Sequence, residues 1–337
     1  MSEISTFAGF LGGMEQGLLV ISNAKAGSAD ERVLHEVLDV LRRGGGDVRS
    51  EPLGSPDQLD ALLGAHPHRL PVAAGGDGTL HLLVAALHAR GELASRVIGL
   101  VPLGTGNDFA RTVGIPLAAA AAARVVLQGS PLEVDLLTDD AGGVVINAVH
   151  LGIGAQGARE GEPLKPVLGM LAYRIGALLA GLRSPGWPVQ VSVDGATITD
   201  GNRRVLQVGI LNGRTIGGGT PLAPHAEPDD GLADVVVSTA VGPMARMRYA
   251  WLLRQGKHSQ RPDVVLTRGR RVELAGLPMP INSDGELGDA VSQRKWTVQP
   301  RAWRILTPPA IRQSTGRTSR TSRPPTRWLR ATGAPAG

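Results

Sequence analysis

Short apolar runs alternate with segments of helical spacing along the first 135 residues of the chain. The apolar runs lie at residues 18–22, 71–74 and 97–101. Runs of this length, apolar at nearly every position, are typical of parallel strands buried on both faces. Helical spacing of apolar residues is found at residues 30–43, 80–90 and 116–127. The alternation predicts a doubly wound parallel sheet of the α/β class.

The pattern changes near residue 136, where single apolar residues begin to alternate with polar ones. Val189, Val191 and Val193 alternate in this way and lead into Asp194-Gly195, a strong hairpin signal. Further strands are predicted at residues 204–211, 233–239, 264–267, 271–275 and 296–306, and helices at 164–182 and 243–255. We therefore expect a mainly antiparallel β domain in the second half.

These patterns divide the chain into four parts. We predict a flexible N-terminus at residues 1–17, an α/β nucleotide-binding domain at 18–135 and a β-rich domain at 136–295. The strand at 296–306 is free to return to either domain. Residues 309–337 are rich in Arg, Ser, Thr, Pro and Gly and cannot bury enough apolar surface to fold, so we expect a disordered basic tail.

Charge and composition exclude several classes of protein. The chain has a formal charge of +5, but six arginines and no acid lie in its last part, and without those six charges the total is −1. The basicity is therefore in the tail, and we expect no nucleic-acid partner. The chain has no cysteine, which fits a cytoplasmic protein. No export signal or apolar run of about 18 residues is found, so we expect no transmembrane segment.

Two glycine-rich turns follow the predicted strands at 71–74 and 97–101. They are Gly75-Gly76-Asp77-Gly78-Thr79, which continues into Leu80 and His81, and Gly104-Thr105-Gly106-Asn107-Asp108. Glycine at the end of a strand lets backbone N–H groups approach a phosphate, and a following helix N-terminus adds a favourable dipole. The two turns therefore predict a nucleotide site. A third turn, at the end of the first strand, adds Asn23, Ala24, Lys25, Ala26 and Gly27.

Acidic residues of the second half are candidates for the remaining chemistry. Asp284, in Asp284-Gly285-Glu286, lies between two predicted strands and could be a general base at the cleft, although an exposed Asp-Gly turn has the same pattern. Asp229 and Asp230 lie in a long loop that could bind Mg²⁺ or be a solvated loop. The apolar segment at 164–183 fits a core helix or a face that contacts membrane.

Taken together, these motifs resemble the diacylglycerol kinase catalytic family, especially the soluble bacterial lipid kinases related to sphingosine kinases. The resemblance covers about residues 18–306 and includes both glycine turns, the 229–234 loop and the 284–286 turn. It implies a structural magnesium ion bound by the Asp230 carboxylate and the main-chain oxygens of Glu227 and Leu232. It also implies that Asp284 is the catalytic base and that Glu286 supports it.

The resemblance implies ATP-dependent phosphorylation of a hydroxyl group of diacylglycerol or a related lipid. Asp77 and Asp108 are then expected to position the phosphates through Mg²⁺ and water. The enzyme would be cytoplasmic and would dock on the inner face of the membrane, where its lipid acceptor lies. Neither the acceptor lipid nor the oligomeric state, a homodimer included, can be inferred from the sequence.

Three positions depart from the pattern of that family. Ala24 replaces a proline, His81 stands where asparagine is common, and Gln156 replaces an acid. Two alternatives therefore stay open. NAD kinase shares the Gly-Gly-Asp-Gly signature but has an Asn-Glu pair in its second motif, where this chain has Asn107-Asp108. A non-catalytic lipid- or nucleotide-binding relative would not need the four acids Asp77, Asp108, Asp284 and Glu286.

Overall fold

The computed structural model describes residues 17–23, 28–45, 47–156 and 185–309. Several predictions lie outside these ranges. They are the residues Ala24, Lys25, Ala26 and Gly27 of the third turn, the apolar segment at 164–183, the N-terminus up to residue 16 and the tail from residue 310. All other predicted elements can be compared with the structure.

Four parallel strands form the sheet of the first half. They are β1 (Leu18–Asn23), β2 (Val48–Leu53), β3 (Leu70–Gly75) and β4 (Val97–Pro102), in the order β2-β1-β3-β4. Val20 is paired with Val72, and Ala73 with Leu100, so the most apolar positions of neighbouring strands lie side by side. These residues are buried, as expected for a sheet covered on both faces. The predicted doubly wound α/β class is confirmed.

Within the described residues five helices cover this sheet, three at the predicted places and two that the hydrophobic pattern did not predict. They are α1 (Ser28–Arg43), α2 (Pro56–Ala65), α3 (Asp77–Ala89), α4 (Asp108–Thr112) and α5 (Ala119–Gln128). The helix α2 was missed, although its start has a clear signal. Ser55 accepts a hydrogen bond from the Gln58 N–H at 3.3 Å, and Pro56 occupies the first turn.

The second half is mainly antiparallel, as predicted. Its strands are β5 (Ser130–Asp139), β6 (Val144–Val145), β7 (Ala148–Gly152), β8 (Trp187–Val193), β9 (Ala196–Val205), β10 (Gln207–Leu211), β11 (Ala233–Ser238), β12 (Val264–Gly269), β13 (Arg271–Ser283) and β14 (Glu286–Thr307). Helix α6 (Pro243–Arg254) connects β11 to β12. The β8–β9 hairpin turns at Asp194 and Gly195, both with positive φ, which confirms the predicted turn.

Three strand predictions need correction. The strand predicted at 204–211 is interrupted at Leu206, because β9 pairs with β8 whereas β10 pairs with β7 and β11. The strand predicted at 271–275 continues to Ser283. The last strand begins at Glu286 rather than at residue 296, and its first ten residues are mostly polar, which hid them from the hydrophobic pattern.

Strand β14 passes through both halves of the molecule. Its first part pairs with β13, whereas Arg304 and Ile305 pair in parallel with β4. Trp296 is buried in the core of the second half, and Trp303 is buried in the core of the first half, where it stacks on Phe109. In the part of the chain that the structure describes, no helix is long and apolar enough to cross a bilayer.

Candidate active site

The two glycine turns contact each other at the carboxyl ends of β3 and β4. The Leu103 N–H donates to the Gly75 carbonyl at 2.9 Å. A Cβ atom added to Gly104 would lie 2.3 Å from the Cα of Gly76, so this approach of two backbones excludes any side chain. The structure therefore brings both predicted phosphate turns to one edge of the sheet.

Several residues of these turns shape the backbone rather than face a ligand. The Asn107 side chain accepts from the Gly104 N–H at 3.1 Å and donates to the Gly104 carbonyl at 2.6 Å, so it closes its own turn. Leu80 is fully buried in the core of the first half, and its side chain cannot contact a nucleotide. Gly78 has no atom within 4 Å of an added Cβ, and Thr105 is exposed, so both face open space.

The carboxylate of Asp77 links the first turn to the second. It accepts hydrogen bonds from the N–H groups of Asp108 and Phe109, at 3.0 and 3.1 Å, and so binds the N-terminus of α4. Burial raises the pKa of Asp77, and the charges of Asp108 and Asp284 add to this effect, whereas the two hydrogen bonds oppose it. Asp77 therefore positions the second turn.

The carboxylate of Asp108 links the second turn to a loop of the second half. It accepts from the Thr215 hydroxyl at 2.6 Å and from the N–H groups of Gly218 and Gly219, each at 2.8 Å. Residues 217–219 are consecutive glycines with positive φ, a backbone shape that presents N–H groups to an anion. The triple glycine was the signal that could have identified this loop as a partner of Asp108.

Asp284 lies in the turn between β13 and β14. Asp284 and Gly285 both have positive φ, and Ser283 pairs with Glu286 across the turn. The side chain has no exposed surface, so the alternative of an exposed Asp-Gly turn is wrong. Its carboxylate accepts hydrogen bonds from three consecutive backbone N–H groups, those of Ile146 at 2.7 Å and of Asn147 and Ala148 at 2.9 Å.

His81 connects the first glycine turn to Asp284. It lies on α3 one helical turn after Asp77, and its Nδ1 is 2.9 Å from Oδ2 of Asp284. Burial lowers the pKa of His81, but the hydrogen bond to Asp284 and the charges of Asp284 and Glu286 outweigh it, so the pKa is raised above its ordinary value. Glu286 is exposed and has no hydrogen bond to Asp284 within the described ranges. Its expected support of Asp284 stays a prediction.

The loop predicted to hold magnesium lies apart from this cluster. Asp135 of β5 anchors this loop by two hydrogen bonds. The Asp135 carboxylate accepts one from the Gly231 N–H, and the backbone N–H of Asp135 donates the other to the Pro228 carbonyl at 2.7 Å. Asp230 forms an ion pair with Arg268, and its other oxygen accepts from the Leu232 N–H at 3.1 Å. The same guanidinium group also pairs with Asp234 at 3.3 Å, so two carboxylates share one positive charge.

Burial, helped by the charges of Asp229 and Asp230, raises the pKa of Asp135, and burial, helped by the charge of Asp230, raises the pKa of Asp234, so the carboxylates of this loop outnumber its one guanidinium group. Glu227, Asp230 and Leu232 stay a prediction as metal ligands. Across the described ranges, no group of three or more His, Asp or Glu side chains could hold a metal ion.

Comparisons with known proteins agree with this fold. Residues 17–138 match the family model of the diacylglycerol kinase catalytic domain, and residues 147–307 match that of the YegS C-terminal NAD kinase beta sandwich-like domain. A protein of Xanthomonas campestris pv. campestris named "Probable lipid kinase YegS-like" is 35% identical over 280 residues, which are 79% of this chain and 88% of that one. The chain belongs to the family of YegS-like lipid kinases.

Two further similarities extend over nearly the whole length of the known proteins. A relative in Pseudomonas fluorescens with the same name is 32% identical over 316 residues, which cover 87% of this chain and 96% of the relative. A crystal structure titled as a diacylglycerol kinase, from Bacillus anthracis str. Sterne, superposes with a TM-score of 0.65. The superposition covers 88% of this chain and 98% of the Bacillus anthracis chain. The sequence identity is 20%, so the similarity supports the fold alone.

Proposed function

We propose that this chain transfers the γ-phosphoryl group of ATP to a hydroxyl group of diacylglycerol or a related lipid. The products would be ADP and a phospholipid of the phosphatidic acid type. Membership of the YegS-like lipid kinases supports the reaction class. The acceptor is proposed from the resemblance and from the similar proteins.

The observation that carries the proposal is the hydrogen bond between His81 and Asp284. It places a side-chain pair suited to proton transfer within one helical turn of the glycine turn after β3. Phosphoryl transfer to an alcohol requires such a group beside a phosphate site. A protein that only binds lipid or nucleotide would not require it.

In this proposal ATP lies along the glycine turns, and backbone N–H groups at the start of α3 bind its phosphates. Asp77 and Asp108 act as positioning residues, since their carboxylates already hold α4 and the 217–219 loop. Mg²⁺ would enter with the ATP phosphates, because magnesium is commonly bound by substrate phosphates and only one or two carboxylates. The chain would act in the cytoplasm, at the inner face of the membrane.

Transfer of labelled phosphate tests the proposal. The purified chain is incubated with labelled ATP and Mg²⁺ and with detergent micelles of diacylglycerol, monoacylglycerol or a sphingoid base, and separately with NAD. We expect label in an organic-soluble lipid. Label in NADP alone would make the chain an NAD kinase, and transfer to none of these acceptors would contradict the lipid kinase proposal.

A matched pair of glycine variants assigns the activity to this site. Gly104→Ala forces the two turns apart and should lower kcat/KM about 100-fold or more, because phosphate-binding groups would be displaced. Gly242→Ala is the control, since its added Cβ meets no atom within 4 Å and Gly242 lies at the start of α6. Equal activity of the two variants would place catalysis elsewhere.

A further inference from the structure

Helix α6 carries a cluster of exposed apolar side chains. Met244, Met247 and Trp251 are 76%, 65% and 62% exposed, and their spacing of three and four residues places them on one face of the helix. Among the described residues only two other large apolar side chains are exposed, Leu117 and Leu277, and they lie far apart in the chain. Exposed apolar residues that are scattered singly are ordinary, whereas a contiguous patch indicates an interaction surface. We call Met244, Met247 and Trp251 the α6 stripe.

The α6 stripe is fixed toward solvent because the opposite face of the helix is anchored. Tyr249 is 3% exposed and lies in a small buried core with Leu222 and Val264. Ala245 and Leu253 pack against the same core. At ~100° of rotation per residue, these three anchoring side chains of α6 lie on the side of the helix away from the stripe. A rotation that buried the stripe would expose this core, so the folded protein presents the stripe to its surroundings.

Basic side chains border the α6 stripe. Arg248 and Arg254 are exposed and flank the stripe on its two sides. Within the described ranges neither arginine forms an ion pair. Residues 243–257 contain four basic side chains and no acid, and the next acid along the chain, Asp263, is paired with Arg261. The surface around the stripe therefore has a positive charge that nearby acids along the chain do not balance.

The composition of this surface matches a bilayer better than a second copy of the chain. The stripe exposes a few hundred Å² of apolar area, less than the ~800 Å² that each partner buries in a stable protein complex. A symmetric dimer would also place the same patch of each copy against the other, so that arginines would face arginines. Exposed methionine and tryptophan flanked by arginines are complementary to an apolar layer bounded by negative charge. A bilayer with anionic headgroups has this composition.

We propose that this face of α6 docks on the surface of a bilayer that contains anionic lipid. In this arrangement the α6 stripe lies at the boundary between headgroups and acyl chains, where tryptophan is favoured. Arg248 and Arg254 contact headgroup phosphates on either side of the stripe. The inference rests on the proposed function for its membrane partner, because a lipid acceptor is what brings this chain to a bilayer. Docking itself requires neither ATP nor phosphoryl transfer, so it can be measured separately.

The docking helix shares its support with the candidate active site. Ile216 belongs to the same small core as Tyr249, and the residues that follow Ile216 form the loop that binds Asp108. The chain just after α6 contacts the same loop, since a Cβ added to Gly256 would lie 3.5 Å from Cγ of Pro221. Docking through α6 therefore holds this loop, and with it Asp108, at a fixed position relative to the bilayer.

Co-sedimentation of the full chain with vesicles, without ATP, tests the proposal. Wild type should bind vesicles of phosphatidylcholine with phosphatidylglycerol more strongly than vesicles of phosphatidylcholine alone, and added salt should weaken the binding. Met247→Gln with Trp251→Gln should lower the binding about tenfold or more, because two apolar contacts with the bilayer are lost. The matched control is Leu117→Gln with Leu277→Gln, which removes two exposed apolar side chains elsewhere and should bind like wild type.

Arg248→Gln with Arg254→Gln tests the charge separately. Two fewer arginines at the bilayer should lower binding to the anionic vesicles about tenfold and make it less sensitive to salt. The matched control is Arg42→Gln with Arg124→Gln, exposed on α1 and α5. The six arginines in the last part of the chain are present in every variant, so their attraction for anionic lipid is common to all of these comparisons.

Quenching by brominated acyl chains distinguishes a bilayer from a protein partner. Anionic vesicles whose acyl chains carry bromine should quench part of the tryptophan fluorescence of wild type, because the indole of Trp251 enters the bilayer interface. Trp251→Phe keeps the stripe apolar and should bind nearly as well as wild type, but a large part of the quenching should be lost. Trp296 and Trp303 are fully buried and contribute little to the quenching.

The outcomes separate the docking surface from the proposed function. If both α6 double variants bind vesicles like wild type, or weaken no more than their controls, docking through α6 is overturned. A wild-type dimer that Met247→Gln with Trp251→Gln converts to monomer without a change in vesicle binding also overturns it, since the face is then a subunit interface. If wild type binds through α6 but phosphorylates no lipid, the proposed function fails and the docking surface stands. Circular dichroism and thermal melting establish that the variants are folded.

Discussion

The charge of Asp284 acts on both His81 of α3 and His150 of β7, yet the pKa values of the two rings shift in opposite directions. For His81, burial lowers the pKa, but the hydrogen bond to Asp284 and the nearby negative charges outweigh it. For His150, burial lowers the pKa to about 4, although the charges of Asp284 and Asp108 act against it. Within the described residues neither ring nitrogen of His150 has a hydrogen-bond partner.

The difference shows how the position of a carboxylate decides whether the pKa of a buried histidine rises or falls. At His150 charge at a distance does not compensate for the loss of hydration, whereas at His81 a direct hydrogen bond acting together with nearby charges does. The α3 side of Asp284 therefore holds a ring whose protonated form is stabilised, which raises its pKa. The β7 side holds a ring that stays neutral and serves in packing. The following changes test this contrast, from the largest expected effect to the smallest.

Asp284→Asn should remove the negative charge that acts on both His81 and His150. In the wild type both carboxylate oxygens accept hydrogen bonds from buried backbone N–H groups. In the variant an NH₂ group replaces one of these oxygens, so at least one buried N–H loses its acceptor. We expect the free energy of unfolding to fall by about 3 kcal/mol or more. Urea denaturation measures the loss. Asp289→Asn, exposed on β14, is the control, and equal midpoints for the two variants would contradict the prediction.

Acid should destabilise the protein through His150. The folded pKa is about 4 and the ordinary value is 6.5, so the stabilising effect of the neutral ring is complete above pH 6.5 and is lost as the pH falls toward 4. The loss amounts to roughly 3 kcal/mol. Urea midpoints of wild type and His150→Gln across this range measure it. The variant should show the smaller pH dependence, and parallel curves would exclude His150 as the cause.

Thr215→Val extends the contrast to Asp108, a second carboxylate held by donors from the other half of the chain. The substitution removes the hydroxyl that donates to Asp108 at 2.6 Å and keeps the shape of the side chain. A hydrogen bond to a charged group contributes about 2 kcal/mol, and we expect that loss in thermal or urea unfolding. Thr197→Val, exposed on β9, should have little effect. A loss of similar size at Thr197 would indicate a general effect of valine.

Gly78→Ala tests nucleotide binding separately from the stability of the fold. An added Cβ at Gly78 meets no atom within 4 Å, so the melting temperature should stay the same or rise slightly. If ATP approaches this glycine, the new methyl group should raise KM for ATP about tenfold. Steady-state kinetics at saturating lipid measure the change. An unchanged KM would mean that the nucleotide does not pass Gly78.

Much of the first half could be predicted from local sequence. The strands and glycine turns are continuous segments, and two neighbouring parallel strands necessarily bring their carboxyl ends to one edge. That is why Gly76 and Gly104 were expected to lie together. The hydrogen bonds of Asp77 to the start of α4 also join adjacent motifs.

The rest of the site depends on contacts that no local pattern encodes. Asp284 is bound by the backbone of Ile146 to Ala148, and backbone donors have no signature in the sequence. His81 reaches Asp284 across 203 positions of the chain. Likewise Arg268 lies 38 positions from Asp230, so the sequence could indicate an acidic loop but not the arginine that pairs with it.

Strand β14 has a consequence for how the molecule can open. Its backbone is hydrogen-bonded to β13 at Trp296 and to β4 at Ile305, so one continuous segment belongs to both cores. The register of its pairing with β5 shifts between Gln299 and Trp303, and Arg301 there has positive φ. Fluctuations that separate the two cores must therefore bend the strand at this bulge. Amide protons before Arg301 should therefore exchange with solvent together with the second core, and those after it together with the first.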